Sequence, residues 1–218
     1  MKIIRSQRPT VVLGVGGYVS GPVVLAAALL GWPCAVAEQN ARPGLTNRIL
    51  GRFVKRVYTA FPEAEASFPA KKVRELGNPV RAAFNEDATA TDDGGPRLLL
   101  LGGSQGAKVL NERLPGIIQS VKSQIPSLRV CHQTGRNRDA DVRKRYDELG
   151  TSDVRVMPFI EDMATEVLAA DLVVARAGAT TVAELAVVGR PALFIPFPHA
   201  ADDHQTANAE SLVLAGAA

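Results

Sequence analysis

A chain of 218 residues holds one large or two small domains, and 46% apolar residues with 14 prolines suit a loop-rich α/β protein rather than a fibrous or disordered one. The net charge of +3 is uneven: residues 1–81 carry twelve Lys/Arg against four Asp/Glu, and residues 82–218 thirteen against eighteen. The basic first part suits an anionic partner such as phospholipid, diphosphate or nucleic acid, or else a solvated basic face.

Lys2, Arg5 and Arg8 precede a chargeless run from Pro9 to Ala37, and Ala35-Val36-Ala37 imitates a signal-cleavage site. Gly14, Gly16, Gly17, Gly21, Pro22, Gly31 and Pro33 break that run too often for a spanning helix. It reads as strand Val11–Leu13, a glycine loop, helix Val23–Leu30 with Pro22 in its first turn, and strand Cys34–Ala37. The loop lacks GxGxxG spacing, so no dinucleotide fingerprint applies; it is a phosphate cradle or a packed turn. Glu38-Gln39-Asn40 follow the strand directly. They stand where an open parallel sheet binds ligands, or they cap a helix beginning near Pro43.

Thr46–Tyr58 alternates Arg48, Arg52, Lys55 and Arg56 with Ile49, Leu50, Phe53 and Val54, which predicts a surface helix weakened by Gly51. Its basic side packs in solvent or meets anionic lipid headgroups. Asn78-Pro79 within Gly77–Arg81 forces an extended or turned backbone. Residues 82–96 have linker composition. The expected organisation is therefore a first domain over 1–81, a linker over 82–96 and a second domain over 97–218.

In the second part, Arg97–Leu101 predicts a strand buried on both faces. Gly102-Gly103-Ser104-Gln105-Gly106 then opens a helix, offering backbone N–H groups and the Ser104 hydroxyl to an oxyanion. It lacks the GxxxxGK[ST] spacing of a Walker A loop. Strand Leu128–Cys131 leads to His132, which is either a base or, more simply, structural. Helix Arg138–Leu149 is solvated, and Val154–Met163 is a strand and a helix start. Leu172–Ala175 is a short strand, Gly178 a sharp turn, and Thr180 and Thr181 cap the next helix, whose N-terminus favours phosphate. Glu184, one turn in, suits two ribose hydroxyls; the same residues would equally make a plain strand–helix unit. His199, Asp202, Asp203 and His204 lack metal-site spacing. Cys34 and Cys131 lack CxxC spacing and read as buried thiols in a reducing compartment.

Taken in order, GGYVSGP, EQN, GNPVR, GGSQGA, RAGATTVAE and DHQTAN resemble the MurG family of GT-B glycosyltransferases, glycosyltransferase family 28. The resemblance implies two Rossmann-like αβα domains with parallel sheets facing a cleft, the first domain incomplete. It implies transfer of N-acetylglucosamine from UDP-GlcNAc to lipid I, with inversion, to give lipid II. No cofactor is implied and no metal is obligatory.

By the same resemblance, Gly16, Gly17, Tyr18 and Ser20 face the acceptor diphosphate. Asn40 and Gln205 reach the donor's GlcNAc, Arg81 lies near the nucleotide, and Ser104 covers the pyrophosphate. Ile160 holds uracil through its backbone, and Ala179, Thr180, Thr181, Val182, Ala183 and Glu184 complete the donor site. The family's His-Glu-Gln-Asn reads Ala37-Glu38-Gln39-Asn40 here, without the histidine. Its early Gly-Gly-His loop is absent, which leaves Glu38 as the nearest candidate base. The chain reads as shortened at both ends relative to the family. The implied setting is the cytoplasmic face of the bacterial membrane, bound peripherally to anionic phospholipid, with no nucleic-acid partner. Two other readings are a GT-B enzyme with a different lipid acceptor, and a UDP-GlcNAc-binding fragment without turnover.

Overall fold

Among the described residues every strand pairing is parallel. Parallel neighbours need a crossover between them, and the turn–helix segments between the apolar runs supply it. The computed structural model describes residues 1–85, 94–103 and 106–216. Two compact units emerge. The first comprises Met1–Pro79, Gly178–Ala183 and Phe197–Gly216, and the second Val80–Ala177 and Glu184–Pro196.

The first unit opens with α1 (Lys2–Gln7), then β1 (Val12–Gly14), α2 (Gly17–Leu29), β2 (Cys34–Glu38), α3 (Leu45–Leu50), β3 (Arg56–Thr59) and β4 (Val73–Glu75). Its sheet runs β1-β2-β3-β4. Val36 and Val57 are fully buried at its centre and pack with Val24, Leu50 and Phe68. The chargeless run is thus divided into strand, helix and strand. Among the described residues no helix is long and apolar enough to cross a membrane.

Two elements differ from expectation. α2 starts six residues before Val23, because Gly16 at φ 89° turns the chain immediately after β1; Pro22 consequently stands inside the helix. The predicted helix Thr46–Tyr58 ends at Leu50. A Cβ on Gly51 would lie 2.6 Å from the Phe68 ring, so the chain turns closely beneath that side chain. It then pairs with β2, starting from Lys55 N–H to the Cys34 carbonyl at 2.9 Å. The alternation read as a helical face is that of a strand, with Val57 and Thr59 inward and Arg56 outward. β-branched residues at inward positions favour that ladder over a helix interrupted by glycine.

The second sheet is built from β5 (Arg97–Leu101), β6 (Arg129–Gln133), β7 (Arg155–Met157), β8 (Leu172–Ala175) and β9 (Ala192–Phe194), in the order β7-β6-β5-β8-β9. The intervening helices are α4 (Lys108–Gln124), α5 (Asp139–Glu148), α6 (Met163–Ala169) and α7 (Ala179–Val188); α8 (His204–Leu214) follows. β5 is central and serves two cores, as its leucine run predicts. Leu100 packs with Ile118 and Tyr146, whereas Leu99 and Leu101 pack with Phe84, Val167 and Leu185.

Candidate functional site

The second sheet reverses direction of growth at β5: the chain moves outward through β6 and β7, then returns to place β8 on β5's other edge. In such sheets ligands bind beyond the carboxyl ends of the strands at that switch point. The glycine turn after β5 lies there. Gly102 N–H donates to the Gln133 carbonyl, and Gly106 has φ 74°. A Cβ on Gly106 would be 2.1 Å from the Thr134 carbonyl oxygen, so the turn seats backbone against backbone, where only glycine fits. Asn111 of α4 donates to the same Thr134 carbonyl at 2.9 Å. Ser104 lies outside the described residues.

At the end of β8, Arg176 donates to the carbonyls of Ile195 (2.9 Å) and Pro196 (2.7 Å), tying the turn after β8 to that after β9. Burial lowers the guanidinium's pKa from its ordinary value. Glu184, on the second turn of α7, is paired with Arg81 at 2.9 Å; its side chain is 11% exposed and that of Arg81 61%. Arg81 also lies 5.0 Å over the Phe84 ring. Ile160 is buried in the core, which leaves its backbone, not its side chain, for recognition. The neighbouring Phe159 is exposed, with Arg136 5.8 Å from its ring centre. His132 is fully buried, its Nδ1 3.1 Å from the Tyr146 hydroxyl. Burial pushes its pKa down to about 4, so it is a neutral scaffold residue at physiological pH.

A groove of about 410 Å³ lies at the opposite, amino-terminal ends of β5, β6 and β7, lined by Arg97, Arg129, Arg155 and Glu166 among others. Glu166 there pairs with Arg155. The sequence gives no ligand-binding motif at these strand ends.

In the first unit the glycine loop turns through positive φ at Gly16 and Gly17. Tyr18 is 96% exposed. Ser20 points differently from the expectation of a ligand contact. Its hydroxyl is buried without a hydrogen-bond partner, and a Cβ on Gly14 would lie 2.5 Å from it. Ser20 therefore packs under the loop.

Glu38 ends β2 and is 3% exposed. One carboxylate oxygen accepts from the Asn40 backbone N–H (3.0 Å) and side-chain amide (3.3 Å). The other accepts from the Gly44 N–H (3.1 Å) and the Asn47 amide (2.9 Å). A carboxylate has about four acceptor sites, and a general base must offer one of them to the reacting hydroxyl. The candidate base is thus already occupied by its own loop.

Asn40 Oδ1 in turn accepts from Asn208 Nδ2 at 3.1 Å, and Asn208 Oδ1 accepts from the Ala41 N–H at 2.8 Å. Asn78 donates to the carbonyls of Gln39 (3.0 Å) and Ala179 (3.4 Å). Arg42 reaches the Asp202 carbonyl (3.2 Å) and the Asp203 carboxylate (3.8 Å). Gln205, on the first turn of α8, has its Oε1 bonded to the Phe197 N–H at 2.9 Å. Ala179, Thr180, Thr181, Val182 and Ala183 form the first turns of α7, whose ladder begins with Val182 N–H to the Gly178 carbonyl. Val182 itself is buried, so it shapes the turn from beneath.

Within the first unit, Asn40 and Gln39 of the loop after β2 thus meet Asn78, Ala179 and Asn208. Within the second, Arg81 meets Glu184. Sequence reasoning missed the roles of Asn47, Asn78, Asn208 and Arg176. The first three are short amides that act through main-chain groups up to 167 residues away. For Asn78 and Asn208 the signal was position inside a quoted motif, not residue type; Asn47 lies outside every one of them. Among the described residues no group of three or more His, Cys, Asp or Glu side chains is arranged to hold a metal ion.

Comparison with known proteins gives the family. Residues 97–218 match the profile of the glycosyltransferase family 28 C-terminal domain, and residues 1–59 that of the family's N-terminal domain. Over its whole length the chain is 49% identical to the UDP-N-acetylglucosamine--N-acetylmuramyl-(pentapeptide) pyrophosphoryl-undecaprenol N-acetylglucosamine transferase of Myxococcus xanthus, covering 57% of that protein. It is 52% identical to the protein of the same name from an Anaeromyxobacter species, again covering 57% of it. The crystal structure of Acinetobacter baumannii MurG superposes with a TM-score of 0.80 at 41% identity, over 99% of this chain and 61% of that one. The chain therefore spans less than two thirds of the length of the relatives it matches. With both family domains matched in order, and two parallel sheets carrying the glycine turns and the Arg81–Glu184 pair, this chain belongs to glycosyltransferase family 28.

Proposed function

We propose that this chain carries the UDP-GlcNAc-binding part of a lipid I N-acetylglucosaminyltransferase, organised as a first domain to residue 81, a linker over 82–96 and a donor domain from 97. The observation that carries the reading is Glu184. It is a nearly buried carboxylate on the second turn of α7, held by a single exposed arginine that a nucleotide can displace or share. Ribose presents two adjacent hydroxyl donors, which a carboxylate accepts in pairs. The backbone N–H groups of Ala179, Thr180 and Thr181, at the start of α7, take the diphosphate; Ser104, outside the described residues, is a further contact by the family resemblance. Ile160 takes the base through its backbone, and Asn40 and Gln205 take the sugar.

In the whole protein the C4 hydroxyl of the lipid I N-acetylmuramic acid attacks C1 of the donor from the face opposite the diphosphate. Configuration inverts as the bond from C1 to the diphosphate oxygen breaks, UDP leaves, and a base of the whole protein takes the hydroxyl proton. The N–H groups around the diphosphate stabilise the charge that develops on it. The turn at Gly16, Gly17 and Tyr18 faces the acceptor diphosphate, with Ser20 supporting it from below.

The setting we propose is the cytoplasmic membrane surface. Leu45, Ile49 and Phe53 are exposed on and just after α3, beside Arg48 and Arg52. Apolar and basic side chains on one short surface suit anionic lipid. Co-sedimentation with phosphatidylglycerol vesicles at low salt tests this, and a chain that stays in the supernatant refutes it.

The donor assignment is tested by calorimetric titration of UDP-GlcNAc into the purified, folded chain. Saturable binding that weakens in Glu184→Ala and Gln205→Ala supports it. A folded chain that produces no heat with UDP-GlcNAc refutes it. UDP release with lipid I as acceptor then decides between transfer and binding without turnover.

A further inference from the structure

We infer that Glu38 is a positioning residue, whose carboxylate clamps the loop between β2 and α3 and so fixes Asn40 for the donor sugar. The inference rests on the donor reading above for its functional half, and on geometry for the rest. The loop from Gln39 to Gly44 has no regular backbone hydrogen bonding of its own. The Glu38 carboxylate substitutes for it, gathering the N–H groups of Asn40 and Gly44 and the amides of Asn40 and Asn47. The two N–H groups are only part-buried, and a charged acceptor gives them a stronger bond than a neutral one.

The clamp also reaches back to β2. Asn47 divides its amide between Glu38 (2.9 Å) and the Ala37 carbonyl (3.1 Å). One carboxylate therefore ties the loop after β2 and the first turn of α3 to the carboxyl end of β2. On the far side, Asn40 is completed by Asn208. Asn40 is held from both ends, with its amide group fixed in orientation before any ligand arrives.

The geometry makes Glu38→Gln a sharp test. Glutamine keeps the volume and one acceptor oxygen but replaces the other with an NH₂ group. Every neighbour of the carboxylate is a donor, so whichever way the amide turns, two N–H groups face another donor. Amide hydrogen exchange in the 218-residue chain reads the loop directly, with Val36 as the core reference. In Glu38→Gln, exchange at Asn40 or Gly44 rises roughly tenfold or more while Val36 is unchanged. The Kd for UDP-GlcNAc rises in the same variant.

Glu184→Ala serves as the control: it weakens UDP-GlcNAc binding and leaves exchange at Asn40 and Gly44 alone. Unchanged exchange at both amides in Glu38→Gln overturns the clamp. Normal exchange and normal Kd with turnover abolished would return Glu38 to the role of base. If the wild-type chain does not bind UDP-GlcNAc, the donor reading fails, and the exchange measurement still decides whether Glu38 holds the loop.

Discussion

Arg81 and Glu184 stand 103 residues apart in sequence and 2.9 Å apart in space. Because the arginine side chain is mostly exposed, the pair contributes little to stability, about 1 kcal/mol or less. Its interest is in binding. Glu184→Ala removes the acceptor proposed for two ribose hydroxyls, and bonds to a charged group are worth about 1.5–3 kcal/mol each. The Kd for UDP-GlcNAc is expected to rise more than tenfold in that variant, and the thermal midpoint of the free protein to move by only a few degrees. Calorimetric titration beside a thermal melt checks both. A large loss of stability with unchanged Kd would make Glu184 a structural residue.

Gly106→Ala should be among the most damaging single-methyl additions to the second unit. The residue sits at φ 74°, and the new Cβ would meet the Thr134 carbonyl at 2.1 Å. Strain of this kind costs about 1–3 kcal/mol, and relieving it moves the turn. Gly116→Ala is the matched opposite: it lies within α4 and its Cβ would meet nothing within 4 Å. That variant should gain about 0.5–1 kcal/mol from helix propensity. Urea unfolding of the two variants side by side checks the pair, and loss of diphosphate affinity should accompany the first alone.

His132 predicts an acid limit. Its folded pKa is about 4 and its ordinary value 6.5, so the unfolded chain takes up the proton first. Above pH 6.5 the residue is neutral in both states and has no effect on the slope. As pH falls from 6.5 towards 4, stability is lost, by about 3 kcal/mol across the window. Below about 4 both states are protonated and the contribution levels off. Urea midpoints between pH 7 and 4 should fall more steeply for the wild type than for His132→Gln. Parallel slopes would show that His132 does not set the limit.

Asn208→Ala leaves the buried Ala41 N–H without its 2.8 Å acceptor and the Asn40 Oδ1 without its donor. An unsatisfied buried group costs about 1–3 kcal/mol. The urea midpoint should fall accordingly, and Asn208→Asp, which keeps the acceptor, should restore part of it. Equal losses in both variants would mean that packing, not the bond to Ala41, is what the side chain supplies.

Much of the fold was legible because it is local. The leucine run of β5 and the two glycine loops announce strand, turn and helix within about fifteen residues. The segment from Thr46 to Tyr58 was misread because its basic and apolar residues satisfy a helical period for the first half and a strand period for the second. Only the ladder from β2 decides the matter. Ser20 and Glu38 show a second limit. Both lie in motifs expected to face a ligand, yet one is buried under Gly14 and the other has its oxygens filled by Asn40, Gly44 and Asn47. A motif gives the residue's neighbourhood, whereas its direction depends on which main-chain groups stand nearby. Asn208 could be read only as a residue that caps or packs, since the N–H it satisfies is 167 positions earlier.

The strand order of the second sheet also bears on synthesis. A chain leaving the ribosome can pair β5 with β6 and then add β7, all by neighbouring segments. The other edge of β5 must wait for β8, whose Leu172 pairs with Leu98. During that interval Leu98 to Leu101 present an unpaired, wholly apolar edge, the kind that recruits other nascent chains. Elongation at about 5–20 residues per second makes the wait several seconds. Anything that stalls translation between β7 and β8 should therefore show up as insoluble product rather than as a shorter soluble chain.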